Sequence, residues 1–138
     1  MIKKNRSLNA SCLCKGIVMT IKGEFRPVVN CHCIQCTKTH GNYAAYTSVL
    51  EENITYKSKN TLKWFSSSTK AKRGFCKKCG ASILFRMNKS NIISISAGLF
   101  DKSLKLKTNR NIFTKNRLKY YSLDNNIPKF SRYSKQWK

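Results

Sequence analysis

Apolar residues come in short runs along the chain, many of them β-branched or aromatic, separated by lysine, asparagine and serine. This pattern predicts strands over residues 17–21 and 27–30, joined through a turn at Lys22-Gly23-Glu24. Further strands are predicted over 43–50, 62–65, 82–87 and 92–96. In Ile92-Ile93-Ser94-Ile95-Ser96 apolar and polar positions alternate, so one face of that strand is expected to be wet. A short helix is predicted over 34–40, with Gly41 as its C-terminal stop. No apolar run approaches the length of a membrane helix, and none of signal-peptide length follows the basic start Met1-Ile2-Lys3-Lys4-Asn5-Arg6. Proline occurs twice and marks no linker, and no internal repeat is visible. The expectation is one mainly β domain over 1–138, with residues 131–138 as a loose basic tail.

Composition adds two constraints. The hydrophobic fraction of 41% is enough for a core. Lys plus Arg is 28 against 5 Asp plus Glu, a formal charge of +23, which attracts polyanions such as nucleic acid. The basic residues are spread along the chain without a block of five or six, so an ordinary basic solvated surface is an equal reading. Cysteine is unusually frequent at seven, an odd number that cannot be fully paired as disulfides within one chain. If seven thiolates hold two divalent ions, the net charge falls to about +20. A compact intracellular metal-binding domain fits these features better than a secreted disulfide scaffold.

The cysteines form three motifs: Cys12-Leu13-Cys14, Cys31-His32-Cys33-Ile34-Gln35-Cys36, and Cys76-Lys77-Lys78-Cys79 followed by Gly80. A CxxC turn aims two sulfurs at one ion about 2.3 Å away, the usual half-site of tetrahedral zinc. Gly80 accepts the positive φ such a turn requires. Cys31, Cys33 and Cys36 are close enough in sequence to converge on one ion. Cys12 and Cys14 are then left to meet Cys76 and Cys79, tying the first strand to a late hairpin. A closed four-thiolate site is structural, with Lys15, Lys77 and Lys78 beside it to offset its charge. The alternative, buried or free thiols, leaves all seven unexplained.

The three-thiolate group keeps a fourth position open, as catalytic zinc sites do. With three thiolates the ion is a poor Lewis acid for ionising water, but it can hold a substrate thiolate. That favours sulfur chemistry over hydrolysis. His32 and His40 are possible fourth ligands. His32 is expected to point away from Cys31 and Cys33 if that segment is extended, and His40 lies one helical turn beyond Cys36. Both are read first as surface residues or as supports behind the ligands. Proton transfer could fall to water, Gln35, His32 or His40. The His-x-Glu and Pro-Cys-x-x-Cys pair of zinc deaminases is absent, and no carboxylate lies in a cysteine motif.

The order CxC, CHCxxC and Arg73-Gly74-Phe75-Cys76-Lys77-Lys78-Cys79-Gly80 resembles the glutathione-dependent formaldehyde-activating enzyme family, which includes centromere protein V. Gly41, Ser67-Ser68, Ala97-Gly98-Leu99-Phe100-Asp101 and Ile127-Pro128-Lys129-Phe130 follow in the corresponding order, so the resemblance runs over about 8–130. It implies a β-tent, two antiparallel sheets pinned by zinc. It also implies two zinc ions per chain: a structural one on Cys12, Cys14, Cys76 and Cys79, and a catalytic or labile one on Cys31, Cys33 and Cys36. The implied activity joins glutathione to formaldehyde, formally a carbon–sulfur lyase reaction, with the second zinc taking the glutathione sulfur. The family usually has glycine directly after the CxC, whereas here Lys15 precedes Gly16.

The leading expectation is therefore a cytoplasmic zinc-dependent enzyme of the carbon–sulfur lyase type. It would act on a small thiol and an aldehyde, with Cys31, Cys33 and Cys36 at the reacting centre and no membrane partner. The alternative is a zinc-pinned basic module for nucleic acid or an acidic protein. In that case Tyr120, Tyr121, Phe130, Tyr133 and Trp137 could stack on bases, although packing in the core or a terminal flap is the preferred reading of these aromatics. A thiol or metal buffer is a third, weaker reading. Lys70, Lys72 and Arg73 are read as ordinary surface charge.

Overall fold

A computed structural model describes residues 7–101 and 104–134. Ten strands and one α-helix are formed among them: β1 Ser7–Ser11, β2 Ile17–Lys22, β3 Val28–Cys31, α1 Ile34–His40, β4 Ala44–Leu50, β5 Ile54–Lys59, β6 Leu62–Ser66, β7 Ala71–Cys76, β8 Ser82–Met87, β9 Ile92–Ser96 and β10 Thr108–Ile112. They make a three-stranded sheet in the order β1-β2-β5 and a seven-stranded sheet in the order β10-β3-β4-β9-β8-β7-β6. Two sheets, one short helix and paired cysteine clusters are the β-tent arrangement that the resemblance implies. Its sheets are antiparallel with one exception, since β10 runs parallel to β3.

The strand alternation decides what each face meets. Ile17, Met19 and Ile21 of β2 are fully buried, while Val18, Thr20 and Lys22 between them are not. They form one core with Leu8, Phe25, Val49, Ile83, Leu84, Ile93 and Ile95, so the small sheet packs on one face of the large one. Phe25 meets Phe100 edge to face, with ring centroids 5.8 Å apart. The other face of the large sheet lines a cavity that includes Tyr46, Ser48, Phe85 and Ser94. Ser94, on the polar side of the predicted alternation, faces that cavity.

The predicted strands are present, and α1 spans the predicted residues. Gly41 closes the helix at φ 78°, its N–H bonded to Thr37 O at 2.9 Å. β1, β5, β7 and β10 were not expected. β5 is Ile-Thr-Tyr-Lys-Ser-Lys and β10 is Thr-Asn-Arg-Asn-Ile, both too polar to be read as strands from composition. β7 contains Gly74 and three basic or small residues before it, yet it lies between β6 and β8 and pairs with both. A Cβ at Gly74 would come within 3.1–3.3 Å of Leu62, Leu84 and Trp64, so the strand is packed too closely for a side chain there. The expected loose tail is partly tied down, with Arg132 O accepting from Phe113 N at 2.9 Å. Residues 1–6 and 135–138, with Trp137, lie outside the described residues. No helix among the described residues is long and apolar enough to cross a membrane.

Candidate metal centres

The CxxC turns build two similar local structures. At the end of β7, Cys79 N donates to Cys76 Sγ at 3.3 Å, Gly80 N donates to Cys76 O at 2.9 Å, and Gly80 takes φ 78°. At the start of α1, Cys33 is the N-cap and its sulfur accepts from Cys36 N, also at 3.3 Å. Backbone N–H groups aimed at a sulfur favour its thiolate form. After β1, Cys12 Sγ accepts from Ile17 N at 3.4 Å, and the loop turns at Lys15, which adopts φ 60°. Lysine thus occupies a left-handed position that glycine would take without strain.

All seven sulfurs fall into two groups: Cys12, Cys14, Cys76 and Cys79, and Cys31, Cys33 and Cys36. Within each group the ligand atoms lie within 4.8 Å of one another. Cys12 Sγ is 3.6 Å from Cys14 Sγ, and Cys14 Sγ is 3.5 Å from Cys76 Sγ. These separations are far beyond a disulfide bond and close to the roughly 3.8 Å edge of a tetrahedron with 2.3 Å metal–sulfur bonds. The donor set therefore fits zinc. Cys12 and Cys76 belong to the core itself, where Cys76 is fully buried. Burial opposes the Cys76 thiolate, but the Cys79 N–H and the Thr61 hydroxyl, 3.1 Å from its sulfur, lower its pKa to about 5.

The three-cysteine group lies at the junction of β3 and α1 and opens into a cavity of about 740 Å³. Thiols of Cys31 and Cys36 hold the Cys33 thiolate far below the usual thiol range, aided by the Cys36 N–H and Arg73. Arg73 was expected on the surface and is instead buried. Its Nη2 lies 3.6 Å from Cys36 Sγ and 3.4 Å from Gln35 Oε1, and its Nη1 lies 3.3 Å from the Tyr46 hydroxyl. Its guanidinium stacks over Phe85, 5.0 Å from the ring centre. Lys70 remains exposed at the cavity rim, and Lys72 sits 4.7 Å from the Trp64 ring centre on the other face of β7.

Neither histidine joins the sulfurs. His32 points away from them, as expected for an extended segment, but it is buried rather than on the surface. Its Nε2 meets Asn111 Oδ1 at 2.8 Å, and its Nδ1 meets the Tyr121 hydroxyl. Burial lowers its pKa, which suits a neutral ring donating to Asn111 and accepting from Tyr121. The pair fastens β10 and the segment after it behind the cysteine loop. Neither partner was expected from sequence. His40 meets the Tyr46 hydroxyl at 2.9 Å and likewise stays off the cluster. Of the aromatics near the C-terminus, Tyr121 stacks on His32 and Tyr120 donates to Asn42 Oδ1. Tyr133 meets Phe113 edge to face at 4.8 Å, while Tyr120 and Tyr133 both stay exposed.

A sequence model of the glutathione-dependent formaldehyde-activating enzymes matches residues 7–116, most of the chain and all seven cysteines. The chain belongs to the glutathione-dependent formaldehyde-activating enzyme family. No curated protein matches it. Among solved structures, a crystal structure of a Rhodobacter sphaeroides protein is similar at a TM-score of 0.55 and 17% identity, covering 68% of this chain and 88% of that one. That likeness concerns the fold alone. Family membership carries the glutathione-dependent, formaldehyde-activating character at the level of the family, and the two cysteine clusters are compatible with its metal chemistry.

Proposed function

We propose that the chain is a zinc-dependent catalyst of the carbon–sulfur lyase type, joining glutathione to formaldehyde or a related aldehyde. The observation that carries this reading is a three-cysteine cluster opening into a large cavity, in a chain of this family. Zinc bound there supplies a centre that accepts a substrate thiolate as its fourth ligand. Cys31, Cys33 and Cys36 would hold it, and Cys12, Cys14, Cys76 and Cys79 would hold a second, structural ion. Arg73, with Nη2 beside Cys36 Sγ, would offset the negative charge of thiolates gathered at this cluster. In the reaction the substrate sulfur forms a bond to the carbonyl carbon. The carbonyl π pair moves to oxygen, and that oxygen gains the proton the thiol gave up. The product is a hydroxymethyl thioether. A cytoplasmic setting, where thiols stay reduced, suits both clusters.

Exchange NMR tests this on protein verified to hold two zinc ions. The expected outcome is faster interconversion of glutathione and formaldehyde with S-hydroxymethylglutathione, lost in Cys33→Ser. No acceleration at full zinc loading, or acceleration that survives Cys33→Ser, would sink the assignment.

A further inference from the structure

The cavity that holds the three-cysteine cluster runs on past it along the large sheet, and strand register gives its floor. Arg73, which reaches Cys36, lies opposite Phe85 on β8, and Phe85 lies opposite Ser94 on β9. Ser94 in turn lies opposite Ser48 on β4. The next cavity-facing row is two residues on, about 7 Å along the strands. There Ala71 lies opposite Met87, and β9 contributes Ile92. Phe85, Met87 and Ile92 therefore line one wing of the cavity, reached from the sulfurs across the stacked Arg73–Phe85 pair.

The serines of this wing are already engaged within the protein. The Ser48 and Ser94 hydroxyls bond each other at 2.8 Å. Ser68 Oγ accepts from the N–H groups of Lys70 and Ala71, both at 3.1 Å. Ser90 Oγ accepts from Ile92 N, also at 3.1 Å. Charge is confined to Lys70, exposed at the rim. What the wing offers a ligand is carbon. Met87 is 43% exposed, and Phe85 and Ile92 are half-buried in the same cavity. Such apolar surface stays in water unless a ligand covers it. Formaldehyde has one carbon, and once that carbon is bonded to sulfur at the cluster it has nothing left to cover the wing.

We propose that the wing of Phe85, Met87 and Ile92 takes the carbon chain of the aldehyde, so that the site favours an aliphatic aldehyde of several carbons over formaldehyde. This rests on the thiol-activation reading for the role of the sulfur, and adds what the acceptor must carry. The step balances as before. The substrate sulfur bonds to the carbonyl carbon, the carbonyl π pair moves to oxygen, and the proton given up by the thiol ends on that oxygen. The product is a 1-hydroxyalkyl thioether whose alkyl chain runs from the new carbon–sulfur bond toward Met87 and Ile92.

The test uses S-methylglutathione and S-hexylglutathione, which differ in the alkyl chain alone and have no thiol to react. Calorimetry compares their binding to the zinc-loaded protein. The hexyl ligand is expected to bind roughly 10- to 100-fold more tightly, the range for partial burial of its added methylenes. Most of that preference should vanish when Met87→Gln and Ile92→Thr are combined, and persist in Lys57→Gln, which removes one exposed charge elsewhere. Equal binding of the two, no binding of the hexyl ligand, or a preference that survives the double variant would overturn the proposal. The ligand comparison needs no substitution, so misfolding cannot imitate it. A rate series with glutathione and formaldehyde, propanal or hexanal, each rate divided by its uncatalysed rate, separates the two readings. The acceleration is expected to rise from formaldehyde to hexanal. Hexyl preference without acceleration of any member keeps the apolar seat and removes the reaction. Acceleration greatest for formaldehyde keeps the reaction and removes the longer acceptor.

Discussion

Arg73 donates to Cys36 Sγ at 3.6 Å, and its own Nε is buried without a hydrogen-bond partner. A positive group at that distance favours the thiolate over the thiol, and so favours retention of a metal. Arg73→Met keeps an unbranched side chain and removes the charge. We expect it to weaken zinc binding at the three-cysteine cluster by about 10- to 100-fold, the usual effect of losing a partner behind a ligand. Competition with a chromophoric chelator measures this, with the four-cysteine cluster as an internal reference. Unchanged retention would mean that the contact has no hold on the metal. At this scale the cysteines were legible because metal geometry restricts their spacing. Arg73 was not, because Lys70, Lys72 and Arg73 look alike in composition. Strand register separates them. Arg73 lies opposite Phe65 and Phe85 on the cavity side, and Lys72 lies opposite Ser66 and Arg86 on the other. Reading Ala71, Arg73 and Phe75 as one alternating face of a strand would have found it.

Short loops set the sulfurs where the strands end. The loop after β1 turns at Lys15 and passes Gly16 against Thr61, whose hydroxyl lies 3.1 Å from Cys76 Sγ. A Cβ at Gly16 would come within 2.3 Å of Thr61 Oγ1 and 2.5 Å of its Cγ2. Gly16→Ala must therefore displace Thr61 and with it the support of the four-cysteine cluster. Urea unfolding should show a loss of roughly 1–3 kcal/mol, as overpacking typically costs. An unchanged midpoint would mean that the loop relaxes freely. Helix α1 was legible from its glycine stop, whereas the Cys33 cap at its start shows only in the structure. β10 was not, because its place is decided by β3, far away in sequence, and its buried residues are Arg110 and Asn111 rather than an apolar run. Even the hand of that pairing, parallel among antiparallel neighbours, leaves no local mark.

In the molecule as a whole the two clusters have different standing. Cys12 and Cys76 are packed into the core between the sheets, whereas the three-cysteine group faces the cavity on the outer side of the large sheet. Cys76→Ser is accordingly expected to abolish cooperative thermal unfolding followed by circular dichroism, and Cys33→Ser to preserve it. A Cys76→Ser protein that melts like the parent would show that the core stands without its metal. The clusters also differ in how far the chain must travel to complete them. Cys31, Cys33 and Cys36 span six residues, while Cys14 meets Cys76 across a separation of 62. On a ribosome the local trio is fully emerged while Cys12 and Cys14 still wait for their partners. With metal bound as proposed, the cluster assigned to chemistry would capture its ion first, from a nascent chain whose fold does not yet exist, and the ion proposed to lock the fold would arrive second.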